Sequence, residues 1–256
     1  YMSNLKGETM PKFFVKTNQI EENKIKIIGE DVKHINQVLR AKIGEELTIC
    51  NLDTTLNYIT TISQITPEYV ICDIQDCVKS FVESSVQVTI FQGLPKADKM
   101  EYIIQKNTEL GAKQIVPVEM VRCVVKLDGK KESKKIERWQ KIAESAAKQS
   151  GRDLIPTVEM PIDINNLCEK IKDFDAVILA YEEEKENTLK NELKKLDGTK
   201  NLKIGVIIGP EGGMDKTEVE KLAKAGAKVV TLGKRILRTE TASISIMSNI
   251  IYEFEL

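Results

Sequence analysis

Two segments of the chain place glycine and polar residues directly after an apolar run, an arrangement in which a ligand can reach the backbone. The first, residues 207 to 213, reads Ile-Ile-Gly-Pro-Glu-Gly-Gly. Residues without a side chain at the end of a buried strand leave backbone N–H and C=O groups open to a bound molecule. Neither the phosphate-loop pattern nor the dinucleotide G-x-G-x-x-G pattern is present, so phosphate binding is not indicated. A tight turn without a ligand is the simpler explanation of these glycines taken alone.

The second segment, residues 231 to 242, reads Thr-Leu-Gly-Lys-Arg-Ile-Leu-Arg-Thr-Glu-Thr-Ala. Its apolar residues suit packing, but packing does not require the polar residues that crowd its strand-to-helix junction. These are Arg235, Arg238, Thr239, Glu240 and Thr241. Arginine and glutamate could merely pair with each other and cap the helix, which explains the segment equally well in isolation. Two such segments in consecutive strand-helix units make one shared site the better prediction.

A third segment, residues 145 to 152, ends a long basic helix with the sequence Ser-Ala-Ala-Lys-Gln-Ser-Gly-Arg. Close helix packing explains the alanines but not Gln149 and Arg152. A planar guanidinium suits bidentate contact to phosphate or carbonyl oxygens, so Arg152 is a candidate contact to a nucleotide. His34 is more often a packed or surface histidine than a catalyst, and Arg40 near it is a candidate RNA contact.

Residues 10 to 78 alternate apolar and polar side chains in short runs rich in β-branched residues, which predicts strands. Asp31 is the predicted N-cap of one short helix, with Ile35, Val38 and Leu39 on one face. Residues 51 to 55 predict a hairpin connection. We therefore expect a small β-rich domain with a barrel architecture. The predicted strands are Lys24–Ile28, Glu46–Cys50, Tyr58–Ile62 and Tyr69–Ile74.

From Val86 onward, strands and helices alternate, which predicts an α/β domain with a mainly parallel sheet covered by helices. Asp215 and Glu218 form a capping-box pattern at the start of one helix. Gly111 is predicted to close another. The predicted strands are Val86–Phe91, Gln114–Val118, Ala176–Tyr181, Lys203–Ile208 and Lys228–Leu232, and the predicted helices are Lys96–Leu110, Ser133–Ser150, Asp215–Ala225 and one from about Thr241.

The composition narrows the function classes. Five scattered cysteines without a C-x-x-C pair predict neither a disulfide framework nor a zinc site. A single histidine, His34, disfavours histidine-based metal clusters and Ser-His-Asp hydrolysis, because the chain has no other imidazole to supply. The absence of an apolar run of about 18 residues predicts a cytoplasmic protein without a membrane segment. The net charge is −1, but residues 95 to 152 hold 14 basic and 8 acidic side chains, the charge expected of a surface that meets a phosphate backbone. Solvated helix faces are the alternative explanation of such a run.

Taken together, several motifs resemble the RsmE-type methyltransferases of the SPOUT superfamily, which methylate N3 of a uridine in small-subunit (16S) ribosomal RNA. The resemblance rests on residues 10–14, 34–40, 99–101, 105–106, 109–111, 149–152, 209–213 and 232–242. It implies a PUA-like β-barrel that handles RNA at residues 1–78, of which the first nine are expected to be a tail. It further implies a SPOUT domain with a trefoil knot at residues 79–256. S-adenosylmethionine as cofactor, no metal, and a homodimer with RNA reaching across from the other subunit are also implied, with 16S ribosomal RNA in the assembled small subunit as the expected partner.

The resemblance also assigns residues. The cofactor loops map onto Leu179, Tyr181, Glu182, Gly209, Pro210, Glu211, Gly212, Gly213, Leu232, Gly233, Ile236, Leu237 and Ala242, and the RNA contacts onto Lys12, Arg40, Lys99 and Gln149. Lys12 stands where the family usually has arginine and loses its bidentate fork.

Uridine N3 is a poor nucleophile until its proton leaves, so the site must remove that proton and stabilise charge on the flanking carbonyl oxygens. Arg238 and Arg152 are the candidate cations and Glu240 is the candidate proton acceptor. Alternatively, Glu240 only orients Arg238 and water takes the proton.

Three other functions are open. A SPOUT ribose 2′-O-methyltransferase would share the cofactor loops but leave N3 unmodified. A non-catalytic RNA-binding protein would use the barrel without a cofactor. A metabolic α/β enzyme that uses another nucleotide is disfavoured because no phosphate-loop pattern exists.

Overall fold

The computed structural model describes residues 12–79, 82–126, 129–198 and 201–256, with backbone only at 129–131. The expected tail and the motif residues Met10 and Pro11 lie outside the described residues. The chain divides into two compact units. The N-terminal unit consists of residues up to Glu83 together with Ala147–Leu154, and the C-terminal unit consists of Ser84–Ala146 and Ile155–Leu256.

The N-terminal unit is built on one mixed sheet of six strands, in the order β1-β4-β5-β6-β3-β2. β1 and β4 pair in parallel and all other neighbours pair antiparallel. The apolar side chains that alternate along the strands, among them Phe13, Ile25 and Ile49, form its core. The predicted strands and the hairpin connection at residues 51 to 55 are confirmed. The strands are β1 (Lys12–Val15), β2 (Ile20–Glu21), β3 (Lys24–Ile28), β4 (Glu46–Asn51), β5 (Leu56–Ile65) and β6 (Tyr69–Lys79), with a 3₁₀ turn at Thr17–Gln19.

The short helix of this unit differs from its prediction at both ends. Helix α1 (Glu30–Lys33) begins after Gly29, whose φ of +77° is a conformation that favours glycine, so the predicted N-cap at Asp31 is wrong. The chain then widens into a π-helical turn at His34–Leu39. Because a π-turn holds more residues than an α-turn, it rotates later side chains away from the expected face. Ile35 is fully buried as predicted, but Val38 is 69% exposed.

The C-terminal unit contains a fully parallel sheet in the order β10-β8-β7-β12-β11-β13, with β9 on the same edge of β8 as β10. The predicted parallel sheet is thus confirmed. The strands β9 and β10, of two residues each, were not predicted because so short a run carries no measurable alternation. The strands are β7 (Gln87–Gly93), β8 (Gln114–Glu119), β9 (Thr157–Val158), β10 (Ile162–Asp163), β11 (Ala176–Ala180), β12 (Lys203–Ile208) and β13 (Lys228–Val230).

Helices cover both faces of this sheet, so its central strands are apolar on both sides. Side chains such as Ile208, Trp139 and Ile246 form the core on one face, and Ile207, Leu167 and Leu222 belong to the core on the other. Two of the helices, α4 and α5, were not predicted from the sequence. The helices are α2 (Lys99–Glu109), α3 (Gly129–Gln149), α4 (Ile164–Lys170), α5 (Leu189–Leu193), α6 (Lys216–Lys224) and α7 (Thr239–Phe254), with a 3₁₀ turn at Ile171–Asp173.

Two helix ends follow the sequence signals closely. Asp215 caps α6, its carboxylate accepts from the Thr217 N–H, and the capping box with Glu218 is formed. Gly111 ends α2 with a φ of +91°, as its position predicts. Within the described parts of the chain, no helix is long and apolar enough to cross a membrane.

Candidate active site

Three loops that carry predicted cofactor residues leave the sheet of the C-terminal unit at the same edge. β11 lies between β12 and β13, and Leu179 is in register with both Ile207 and Val229. Because all three strands are parallel, their carboxyl ends meet at one edge of the sheet, where α/β proteins bind ligands. The structure thus brings together the loops that follow residues 180, 208 and 230.

The glycines of the β12 loop are required by close contacts. A Cβ atom on Gly209 would lie 2.8 Å from the Met214 side chain, which is buried. Gly213 has a φ of +71°, donates its N–H to the Pro210 carbonyl at 3.0 Å, and would direct a Cβ atom onto the Glu182 carboxylate. The β11 and β12 loops therefore touch at Gly213 and leave no room for a larger residue there.

A buried hydrogen-bond network joins the β12 loop to α7 and to the end of β7. The Thr239 hydroxyl donates to the Gly209 carbonyl at 2.7 Å, and the Gln92 amide donates to the Thr239 oxygen at 2.8 Å. The Gln92 amide also donates to the Gly93 carbonyl at 3.0 Å. Both side chains are buried. Because a buried polar group left unpaired is costly, this network fixes the start of α7 against the β12 loop.

A cluster of three charged side chains spans the surface of the same loops. The Glu211 carboxylate accepts from the Lys96 N–H at 3.1 Å and pairs with the Lys99 ammonium at 3.1 Å, and Lys99 also pairs with Glu240 at 3.4 Å. Burial alone would raise the pKa of Glu211, but hydrogen bonds from its own backbone, from Lys96 and from Lys99 lower it overall. The hydrogen bond to Glu211 raises the pKa of Lys99.

Arg238 and Ile236 are exposed in the segment that leads into α7, and Ile236 is 86% exposed. Arg238 occupies the N-cap position of α7. Among the residues the structure describes, the ion pair of Glu240 is with Lys99 and none joins it to Arg238. Both roles predicted for Glu240, as the proton acceptor or as the residue that orients Arg238, stay predictions.

Comparison with known proteins assigns the chain to a family. A family model for an RNA methyltransferase domain matches residues 82–251, and a model for an RNA methyltransferase PUA domain matches residues 27–75. The chain is 38% identical to the ribosomal RNA small subunit methyltransferase E of Bacillus subtilis, over 96% of this chain and 98% of that protein. The chain belongs to the ribosomal RNA small subunit methyltransferase E family. The corresponding protein of Mesomycoplasma hyopneumoniae is 33% identical over 94% of this chain and 99% of its own length.

A solved structure in the methyltransferase E family is similar over both units. The methyltransferase E of Neisseria gonorrhoeae, bound to S-adenosylmethionine, matches with a TM-score of 0.83 and 28% identity, over 95% of this chain and 98% of that one. The expected fold class, an α/β methyltransferase domain preceded by a PUA-like domain, is thus confirmed.

Two of the predicted basic residues are held in ion pairs within the N-terminal unit. The Arg152 guanidinium is buried and binds the Glu83 carboxylate through Nη2 at 2.6 Å and Nε at 3.2 Å. The Lys12 ammonium pairs with Asp153 and donates to the Gly151 carbonyl at 3.1 Å. The structure thus places Arg152 and Lys12 in the N-terminal unit.

The other two predicted RNA contacts of this unit are open to solvent. Arg40 ends the π-helical turn with a φ of +52°, and its side chain is exposed, as is that of Gln149 at the end of α3. Both are therefore available to a partner.

Sequence reasoning missed two residues that shape the β12 loop. Gln92 could have been noticed because it is a polar residue at the end of an apolar strand. Arg122 follows β8, donates to the Gly212 carbonyl at 3.2 Å and pairs with Asp215 at 3.6 Å. No pattern in the sequence marks Arg122, since its contact depends on the strand order.

A separate cavity of about 450 Å³ lies at the opposite edge of the sheet, where β11 and β13 begin, near Ala176 and Lys228. It contains none of the predicted site residues, and ligands of parallel sheets bind at the carboxyl edge, so we place the active site at the three loops. Across the described residues, no group of three or more His, Cys, Asp or Glu side chains is arranged to hold a metal ion.

Proposed function

We propose that this protein transfers a methyl group from S-adenosylmethionine to N3 of a uridine in small-subunit ribosomal RNA. The observation that carries the proposal is the set of three loops at the carboxyl edge of the sheet, with glycines that close contacts require. The S-adenosylmethionine bound to the Neisseria gonorrhoeae relative supports the choice of cofactor. The ribosomal RNA named for the relatives supports the choice of substrate.

The residues at the three loops fit this cofactor. Backbone groups of the β12 loop are accessible at Gly212, and a side chain at Gly209 or Gly213 would close the loop against its neighbours. Leu179 and Ala242 are buried in the core, so they shape the site from behind while the loop backbones meet the ligand. The proposed cofactor residues are Leu179, Tyr181, Glu182, Gly209, Pro210, Glu211, Gly212, Gly213, Leu232, Gly233, Ile236, Leu237 and Ala242.

When bound, S-adenosylmethionine supplies an electrophilic methyl group whose bond to sulfur breaks as the bond to uridine N3 forms. The protein then has to hold the uridine in line, accept its N3 proton and stabilise the charge that spreads onto O2 and O4. Arg238 is exposed at the start of α7 beside the loops, and we assign it the stabilising role. Glu240, in the first turn of the same helix, is the proposed proton acceptor. Arg152 is the proposed second cation, and Glu83 would then fix the orientation of its guanidinium.

RNA binding is assigned to the N-terminal unit, which adds Ala147–Leu154 to the predicted span of residues 1–78. The PUA-domain match and the exposed side chains of Arg40 and Gln149 support this assignment. The resemblance adds a C-terminal trefoil knot in the SPOUT domain, a cytoplasmic homodimer, and the assembled small subunit as substrate. We include these as parts of the proposal.

Nucleoside mass spectrometry tests the reaction. Small-subunit ribosomal RNA made by transcription in vitro, free and after assembly into subunits, is incubated with the protein and S-adenosylmethionine carrying a labelled methyl group. We expect labelled methyluridine in which the added mass stays with the base upon fragmentation. Label on the ribose would indicate the 2′-O-methyltransferase, and no label on either substrate would contradict the proposal.

Single-turnover methylation with saturating cofactor tests the role of Arg238. Removing one group that stabilises transition-state charge lowers rates by about 10²- to 10³-fold, so we expect such a loss in Arg238→Ala and a smaller loss in Arg238→Lys. Arg138→Ala is the control, because Arg138 is also exposed but lies on α3 and pairs with Glu101. A near-normal rate for Arg238→Ala would remove it from the mechanism.

A further inference from the structure

Lys99 occupies a position where helix electrostatics disfavour a cation. It is the first residue of α2, an eleven-residue helix, and the amino end of a helix carries a partial positive charge. Acidic residues are the ones that gain stability there. The position of Lys99 therefore calls for a compensating interaction outside its own helix.

Two carboxylates outside α2, one in the β12 loop and one in the first turn of α7, supply that interaction. The Lys99 ammonium lies 3.1 Å from a Glu211 oxygen in the β12 loop and 3.4 Å from a Glu240 oxygen in the first turn of α7. The three side chains are only 32%, 24% and 16% exposed. Ion pairs that are partly withdrawn from water are screened less than surface pairs, so this cluster holds its members more firmly than surface charges would.

Glu240 depends on Lys99 more than Glu211 does. The Glu211 carboxylate also accepts from the Lys96 N–H, whereas Glu240 Oε2 is shielded from solvent and accepts no hydrogen bond from the described residues. Among the described residues, Lys99 is also the only cation within 4 Å of Glu240 Oε2. Removing Lys99 would leave a shielded carboxylate without a counter-charge beside a second carboxylate, which is unfavourable.

We propose that Lys99 is a positioning residue that ties the β12 loop to the first turn of α7 and thereby holds both in the arrangement that binds the cofactor. This role replaces the predicted contact of Lys99 with RNA, and it rests on the proposed function because it concerns the same cofactor site. The Lys99 ammonium acts through the β12 loop and the first turn of α7 and does not touch the reacting atoms.

Three variants test the role through the affinity for S-adenosylmethionine, measured by titration calorimetry without RNA. Without the two partly exposed ion pairs of Lys99, the β12 loop and the first turn of α7 are held together less firmly. A smaller fraction of the protein then has the arrangement that binds S-adenosylmethionine, and the apparent affinity falls in proportion to that fraction. We expect Lys99→Met to bind about ten-fold more weakly and Lys99→Arg to stay within about three-fold of wild type. The double variant Lys99→Met/Glu240→Gln should recover part of the lost affinity, because it removes the shielded carboxylate that Lys99→Met leaves without a counter-charge. Glu240 is assigned to proton transfer and not to cofactor binding.

Lys106→Met is the matched control. Lys106 lies on the same helix, is 31% exposed and pairs with Glu109 three residues later, away from the loops. It should leave the affinity for S-adenosylmethionine unchanged. Thermal unfolding of each variant checks that it is folded. Lys99→Arg keeps the test valid if Lys99→Met does not fold, because the arginine cation should still bridge the two carboxylates.

The outcomes separate the two proposals. If the wild type binds no S-adenosylmethionine, the proposed function fails. If the wild type binds it and Lys99→Met binds it equally well, the positioning role fails. If Lys99→Met loses affinity only for small-subunit ribosomal RNA made by transcription in vitro, and adding Glu240→Gln restores nothing, then Lys99 contacts RNA and our assignment is overturned.

Discussion

Replacing Thr239 by valine should destabilise the C-terminal unit much more than the same change at a similarly buried threonine. The Thr239 hydroxyl links two groups, since it accepts from the Gln92 amide at 2.8 Å and donates to the Gly209 carbonyl at 2.7 Å. Valine has nearly the same shape but can make neither bond. Threonine and valine also have similar helix propensities, so the helix itself is not expected to respond.

The size of the effect follows from the two bonds. A buried hydrogen bond contributes about 1 kcal/mol, and leaving its partner unpaired adds to the cost, so we expect a loss of about 3 kcal/mol. Thr89 provides the matched control, because Thr89 and Thr239 are each 6% exposed. The Thr89 hydroxyl makes one long bond of 3.4 Å, to Gln114. Thr89→Val should therefore cost less than about 1 kcal/mol.

Urea unfolding measures the difference in the free energy of unfolding between Thr239→Val and Thr89→Val. Trp139 is the only tryptophan of the chain and lies buried in the core of the C-terminal unit, so its fluorescence follows the unfolding of that unit. All variants are compared at one protein concentration, because association would shift the midpoint. Thr239→Ser, which keeps the hydroxyl, should recover most of the loss. If Thr239→Val and Thr89→Val differed by less than about 0.5 kcal/mol, the assigned role of the network would be refuted.

Three further predictions follow from other parts of the structure. Gly213→Ala should weaken S-adenosylmethionine binding in calorimetry, because a φ of +71° disfavours a side chain and the added Cβ atom would meet the Glu182 carboxylate. Gly111→Ala is the control, since Gly111 has a φ of +91° but open space around it. The control should cost about 1–2 kcal/mol of stability and leave the binding of S-adenosylmethionine unchanged. Burial raises the pKa of the Cys50 thiol to about 12. Iodoacetamide at pH 8 should therefore modify the exposed Cys77 and leave Cys50 unmodified until urea unfolds the protein. Peptide mass spectrometry detects the modified cysteines, and modification of Cys50 before urea is added would contradict its burial. Arg40→Ala should weaken binding to transcribed small-subunit ribosomal RNA and lower the slope of log affinity against log salt by about one, and an unchanged slope would exclude a phosphate contact.

The sequence predicted the architecture because each domain has a clear periodicity. Alternation in residues 10 to 78 and the change to strand-helix units from Val86 onward correspond to the mixed sheet and the parallel sheet that the structure contains. The predicted grouping of the Gly209 and Leu232 segments follows from strand direction, since parallel strands end at one edge. The roles of the individual site residues stay predictions.

What the sequence could not show depends on which strands become neighbours. The Gln92–Thr239 hydrogen bond joins residues 147 positions apart in the sequence, and the Arg122–Gly212 hydrogen bond joins residues 90 apart. No local sequence pattern connects the two partners of either bond. Lys99 shows the same difficulty, because the resemblance assigned it to RNA while its two carboxylate partners, Glu211 and Glu240, lie more than 100 residues away in the sequence. The exposed Val38 was mispredicted because the sequence gives no sign that the helix widens into a π-turn.

The N-terminal unit is built from two segments that are far apart in the sequence, which has a consequence for its folding during synthesis on the ribosome. Residues 147–154 belong to it through the ion pairs Lys148–Asp31, Arg152–Glu83 and Lys12–Asp153. The six strands are complete once Lys79 has been made, but the segment that joins them emerges some 70 residues later, which takes several seconds at about 5–20 residues per second. During that interval Glu83 and Asp31 lack these cations. A protein truncated after Glu83 would lack these cations permanently, so the N-terminal unit should complete its folding only after α2 and most of α3 have been translated.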